Sequence, residues 1–167
     1  MKVLGIDPGT AVLGYGVVES APGRPGRLVE CGVLATPPGQ PLSRRLRMVH
    51  DGVTELIGRH RPDAVAVEAS FHAKNARTTM VLSHARGVIL LAAEEAGVSI
   101  AEYSPAAVKK AITGRGAALK PQVAFMLQQL LRLQSRPSPA DASDGIAIAL
   151  THLISAPRPR AVRSHGG

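Results

Sequence analysis

Met1-Lys2-Val3-Leu4-Gly5-Ile6-Asp7-Pro8-Gly9-Thr10 decides how the rest of the chain is read. A short apolar run of strand type ends in an acid, and Pro8-Gly9 then forces a turn. A charge there stands on a rigid element at the lip of a buried sheet, where a site can be built. Asp7 is therefore either a turn residue bonding its own backbone or a functional carboxylate. The decapeptide alone does not choose between them.

Working outward, Lys2 to Ile6 is a first strand, and Gly14 to Glu19 is close enough to be its hairpin partner. Pro22-Gly23-Arg24-Pro25-Gly26 reads as a loop and Leu28 to Thr36 as a third strand, giving an antiparallel meander closed by Pro37-Pro38-Gly39. Leu42, Leu46, Val49, Val53, Leu56 and Ile57 then recur at helical spacing. Ala64 to Val67 is a short buried strand closed by Glu68. A long helix over about Asn75 to Ala96, apolar on several faces, implies burial against its own sheet and against another subunit. Val98 to Tyr103 is a fifth strand. Ser104-Pro105 and Lys120-Pro121 open two further helices, and Ser138-Pro139-Ala140-Asp141 starts the last, which runs to about Ile154. The order βββ-α-β-α-β-α-α-α requires parallel crossovers, hence an α/β fold with a mixed five-stranded sheet and helices on both faces. Residues 1–155 read as a single domain and 156–167 as a basic, disordered tail.

Composition narrows the function. Apolar residues make up 45% of 167, but no apolar run approaches a bilayer span, and Met1-Lys2 leads straight into a strand. With one cysteine, Cys31, expected buried and inert in a strand, no internal disulfide is possible. A cytoplasmic protein with no membrane association is expected. The net charge is +8, and eight less the three arginines of the tail (Arg158, Arg160, Arg163) still leaves +5, which points to a polyanionic partner such as nucleic acid.

Only five aspartates occur, and Asp7, Asp141 and Asp144 stand at element ends, as does Glu68. Asp141 and Asp144, three apart, share a helix face about 5–6 Å from Cβ to Cβ. Alone, the pair reads as an acidic capping residue and its solvated neighbour. Parallel pairing of strands one and four, however, would bring Asp7 and Glu68 to one sheet edge within reach of that helix. Four convergent carboxylates suit two Mg²⁺ ions about 3.5–4 Å apart, the geometry of in-line attack on a phosphodiester, with Mn²⁺ as a substitute. Setting those four acids aside leaves 20 basic residues against eight acidic, a net of +12 around an acidic site.

These residues resemble the RuvC Holliday-junction resolvases, within the ribonuclease H-like nucleases. Gly5-Ile6-Asp7-Pro8-Gly9-Thr10, Gly14-Tyr15-Gly16, Val67-Glu68, Phe71-His72-Ala73-Lys74-Asn75, Ala85-Arg86-Gly87, Val108-Lys109-Lys110, Gly114-Arg115-Gly116 and Ala140 to Ala149 follow in order to about His152. The resemblance implies a homodimer that nicks two opposed strands of a four-way DNA junction symmetrically with Mg²⁺. It also implies that Asp7, Glu68, Asp141 and Asp144 are the catalytic metal ligands, and that RuvA and RuvB are partners. Leu119, where an acid is expected, and His72 depart from the family pattern and bear on sequence preference.

Phe71 is an aromatic able to stack on an unpaired base, with Lys74 and Arg77 at the same entrance. Lys109, Lys110, Arg115 and Lys120 lie within twelve residues and read as a phosphate-contacting patch. His152, eight residues past Asp144, reads as a core or surface histidine. Two other functions compete. Gly-x-Asp-x-Gly-Thr hairpins also cradle phosphates in sugar-kinase and actin-like ATPases, but those need two lobes and 167 residues hardly supply them. A junction-binding protein without chemistry is the other, and the presence of all four acids argues against it.

Overall fold

In the computed structural model, which describes residues 1–69 and 75–156, Lys2–Asp7 forms β1 at the centre of a five-stranded sheet. Its residues alternate between faces, as strand geometry requires. Val3 points into one core cluster, and Leu4 and Ile6 into the other. β2 (Val12–Ala21) pairs antiparallel to β1, and β4 (Ala64–Glu68) pairs parallel to it, with Asp7 opposite Gly14 and Ile6 beside Val67. With β3 (Arg24–Ala35) and β5 (Ser99–Tyr103) the sheet order is β3-β2-β1-β4-β5. The expected mixed sheet is present, and its parallel β1–β4 pair carries two acids to the same edge.

α1 (Leu42–His60) and α2 (Ala76–Glu95) cover one face, burying Val49, Val53, Leu56 and Ile57 of α1 and Ala85, Ile89, Ala92 and Ala93 of α2. α3 (Pro105–Thr113), α4 (Lys120–Leu131) and α5 (Ala140–Ser155) cover the other. Ser104 caps α3 as its sequence implies, accepting from Ala107 N–H at 3.2 Å with Pro105 in the first turn.

Three expectations are corrected. The loop expected over Pro22–Gly26 shrinks to Pro22-Gly23, with Gly23 at φ +70°, because Pro25 is tolerated on the edge strand β3, where a missing donor costs no ladder bond. The last helix is not opened by a side-chain cap: Pro139 is the N-cap residue and no side chain bonds the first turn. Cys31 is half-buried rather than buried, and its thiol is pushed up by that burial and by neighbouring Glu30. Within the single chain α2 buries one stripe against the sheet and leaves Met80 61% and Leu91 51% exposed.

α5 is the element that matters most for a site. It lies so close to β1 and β2 that a Cβ on Gly14 would stand 1.9 Å from the carbonyl oxygen of Asp141, and one on Gly145 2.5 Å from Cα of Tyr15. Backbone rests on backbone there, and only glycine permits the approach.

Candidate active site

Three elements deliver one carboxylate each. β1 ends at Asp7, β4 at Glu68, and Asp144 follows one turn into α5. All three line a single cavity of about 210 Å³, walled on its apolar side by Val108, Val123, Ala147 and Ile148 and shared with the basic side chains of Lys109 and Lys120. Asp141 is exposed in the first turn of α5 and stands outside that lining. Its charge nevertheless reaches Asp7.

The electrostatics are those of crowded anions. Burial, then the charges of Glu68, Asp144 and finally Asp141, push the Asp7 carboxyl up to about 7, with Lys120 opposing. Glu68 is pushed up by burial and then by Asp144, with Lys120 and Lys109 opposing. Lys120 answers part of this repulsion: its Nζ donates to Asp144 Oδ2 at 2.7 Å, and that bond raises the ammonium's own pKa.

Asp7 also makes stability pH-dependent. In the unfolded chain it ionises at its ordinary 3.8; in the fold it holds its proton to about 7. Between those values the unfolded state binds fewer protons, so folding stability falls as pH rises, and the full penalty persists above 7. The melting temperature of metal-free protein is therefore expected to drop from pH 5 to pH 8, and Asp7→Asn to flatten that drop. Parallel wild-type and mutant curves across this range would remove Asp7 as its source.

The donor set fits a hard divalent cation: partly desolvated carboxylate oxygens from three acids, set against the two ammonium groups of Lys109 and Lys120. Among the described residues no group of three or more His, Cys, Asp or Glu side chains is already closed into a metal cage. Asp144 is instead bonded to Lys120, so a cation would have to exchange with that ammonium.

The remaining sequence candidates divide. Lys109 and Lys120 face the acids, whereas Arg115 lines a separate groove with Pro121, Phe125 and Met126, and Lys110 lines neither. Arg77 is exposed in the first turn of α2 and does not line the acidic cavity. Phe71 and Lys74 lie outside the described residues, as does the tail beyond Ala156. His152 does not line the acidic cavity; its Nδ1 lies 2.9 Å from the Tyr103 hydroxyl, and burial lowers its pKa. Sequence reasoning treated Lys120 as a phosphate contact and missed it as a counter-ion to Asp144; no local signal places those residues together across 24 positions. It also missed Gly14 and Gly145 as packing residues, although a glycine directly after Asp144 in an otherwise apolar helix is a usable sign.

The chain matches the family described as crossover junction endodeoxyribonuclease RuvC over residues 3–152. It is 49% identical over 157 residues to a crossover junction endodeoxyribonuclease RuvC of Parafrankia sp., covering 94% of this chain and 88% of that protein. It superposes on the Thermus thermophilus RuvC structure with a TM-score of 0.84 at 41% identity, over 92% of this chain and 94% of that one. It superposes equally well, at 38% identity and with the same coverage, on T. thermophilus RuvC in complex with a Holliday junction substrate.

Proposed function

Because the chain belongs to the crossover junction endodeoxyribonuclease RuvC family and has its ribonuclease H-like fold, we propose that it resolves four-way DNA junctions by paired, metal-dependent phosphodiester hydrolysis. The observation that carries this is the shared cavity of Asp7, Glu68 and Asp144, delivered from three separate elements into a chain of net charge +8.

Asp7, Glu68 and Asp144 would hold Mg²⁺ through carboxylate oxygens, with Asp141 at the rim contributing charge or an outer ligand; Mn²⁺ substitutes. When bound, the ions supply Lewis acidity toward the phosphate and lower the pKa of a coordinated water. The chain's residues do the rest. Asp7, whose carboxyl is pushed up to about 7 in the absence of a cation, releases its proton as a cation arrives, so binding is tighter at higher pH. Lys109 and Lys120, on the cavity wall, hold the scissile phosphate against the acids and oppose its negative charge. The apolar wall from α3, α4 and α5 limits the water around them.

Two equivalent strands call for two equivalent sites, and the exposed face of α2 supplies a surface for a homodimer. Met80 and Leu91, with Leu46 and Val88, rim an apolar groove of about 460 Å³ on that face. A charge in the middle of such an interface would be buried unpaired. Leu91→Glu is expected to weaken self-association by about 30-fold or more, as loss of an interface hot spot does, and to leave single nicks in place of paired ones. An unchanged dimer by analytical ultracentrifugation would move the interface elsewhere. RuvA and RuvB are the further partners that membership implies, and the cytoplasm is the compartment where all would meet.

The reading is tested by incubating purified protein and Mg²⁺ with a four-way junction and with linear duplex of the same sequence. Symmetric nicks in opposed junction strands, with the duplex intact, are expected. Binding of the junction without nicking in either Mg²⁺ or Mn²⁺ would leave only a binding function.

A further inference from the structure

Arg45 lies one turn into α1, and its guanidinium reaches across to the turn that follows Asp7. Nε donates to the carbonyl oxygen of Thr10 at 3.2 Å and to Oγ1 of Thr36 at 3.0 Å, while Nη2 donates to Oγ1 of Thr10 at 3.1 Å. The Thr36 hydroxyl itself donates to the Thr10 carbonyl, and Thr36 N–H to the Ala11 carbonyl at 2.9 Å. Both threonines are nearly enclosed, 7% and 9% exposed. A planar fork with several fixed donors is the side chain that can satisfy three acceptors at once, and a lysine ammonium cannot reproduce that geometry.

This knot ties three segments together: the N-terminal part of α1, the end of β3, and the residues between β1 and β2. The turn it grips is buried over Pro8, Gly9 and Thr10 but poor in hydrogen bonds. Pro8 has no N–H to donate. Among the described residues, the Thr36–Ala11 bond is the one backbone–backbone bond that residues 8–11 make outside the strand ladders. Asp7, whose backbone is held in the β1–β2 ladder opposite Gly14, leads directly into this turn, so the turn bears on where the end of the strand and its carboxylate point.

We propose that Arg45 is a positioning residue for the hydrolytic reaction, holding the Pro8–Ala11 turn so that Asp7 stays aimed at Glu68 and Asp144. The proposal rests on the nuclease reading. Arg45 does not itself line the acidic cavity, which separates its role from those of Lys109 and Lys120.

The test uses full-length Arg45→Ala and Arg45→Lys with a four-way junction and Mg²⁺, reading the single-turnover rate at saturating protein, junction affinity and melting temperature. Arg45→Ala is expected to lower the rate by about 10–100-fold, the cost of misplacing a reacting group by about an ångström. Junction affinity should stay within about 3-fold, since one phosphate contact at most is at stake. Guanidinium ion at concentrations below those that unfold the protein should restore part of the rate to Arg45→Ala, and Arg45→Lys should remain slow. Thr36→Val, which removes one acceptor without changing size, should move the rate in the same direction by less, and serves if Arg45→Ala does not fold. A wild-type rate in the variants, a loss confined to affinity, or a rate loss that guanidinium does not touch and that follows the melting temperature would each overturn the proposal. Absence of cutting by the wild-type protein would instead sink the nuclease reading and this inference with it.

Discussion

Asp7→Asn is expected to lower single-turnover cleavage of a four-way junction by about 10³-fold or more, while junction binding is kept or improved. Removing a ligand that metal catalysis depends on forfeits several kcal/mol of charge stabilisation, and each 1.36 kcal/mol is about tenfold in rate. Binding moves the other way because it comes from the basic surface, and the mutation deletes a negative charge facing the phosphate backbone. The variant should also fold at least as well without metal. Asp7 is buried among Glu68, Asp144 and Asp141, so its ionised form is a cost that an amide does not incur. Loss of cutting together with loss of binding or of folded protein would point to a structural aspartate.

Gly145→Ala should have the second largest effect, by a different route. The new Cβ would stand 2.5 Å from Tyr15 Cα and 2.8 Å from Gly16 N, and these are backbone atoms of the central sheet that have no free rotamer to yield. α5 must move outward or the strand must bend, at a cost of about 1–3 kcal/mol or more in stability. Asp144 is the preceding residue, so the shift carries a carboxylate away from Asp7 and Glu68. A displacement of about 1 Å is enough for a rate loss of about 10²-fold. Cleavage should therefore fall more steeply than the melting temperature, and Gly58→Ala, inside α1 where a Cβ meets nothing within 4 Å, should leave cleavage unchanged and raise the melting temperature slightly. Equal behaviour of the two variants would mean that α5 docks with more slack than its glycines indicate.

Most of the fold was legible because its signals are local. Unbroken apolar runs in β1 and β4, the switch to helical spacing at Leu42 and Ser104 before Pro105 each act within a few residues. The four acids were legible as element ends, and parallel pairing of β1 and β4 then made Asp7 and Glu68 neighbours. What the chain order hides is contact between distant segments. Lys120 meets Asp144 only because α4 and α5 pack on one face, and Arg45 meets Thr10 and Thr36 only because α1 crosses the end of the β1–β2 hairpin. Pro25 misled for a related reason: a proline reads as a strand breaker until the strand is known to lie at an edge.

The central claim is that carboxylates from β1, β4 and α5 act as one cation site. Mn²⁺ binding to the metal-free protein, measured by calorimetry for the wild type and for Asp7→Asn, Glu68→Gln, Asp144→Asn and Asp141→Asn, tests it most directly. Saturable binding is expected, weakened about tenfold or more by each of the first three substitutions and less by Asp141→Asn, whose side chain lies outside the cavity lining. No saturable Mn²⁺ binding by the wild type, or affinities that none of these substitutions changes, would contradict it.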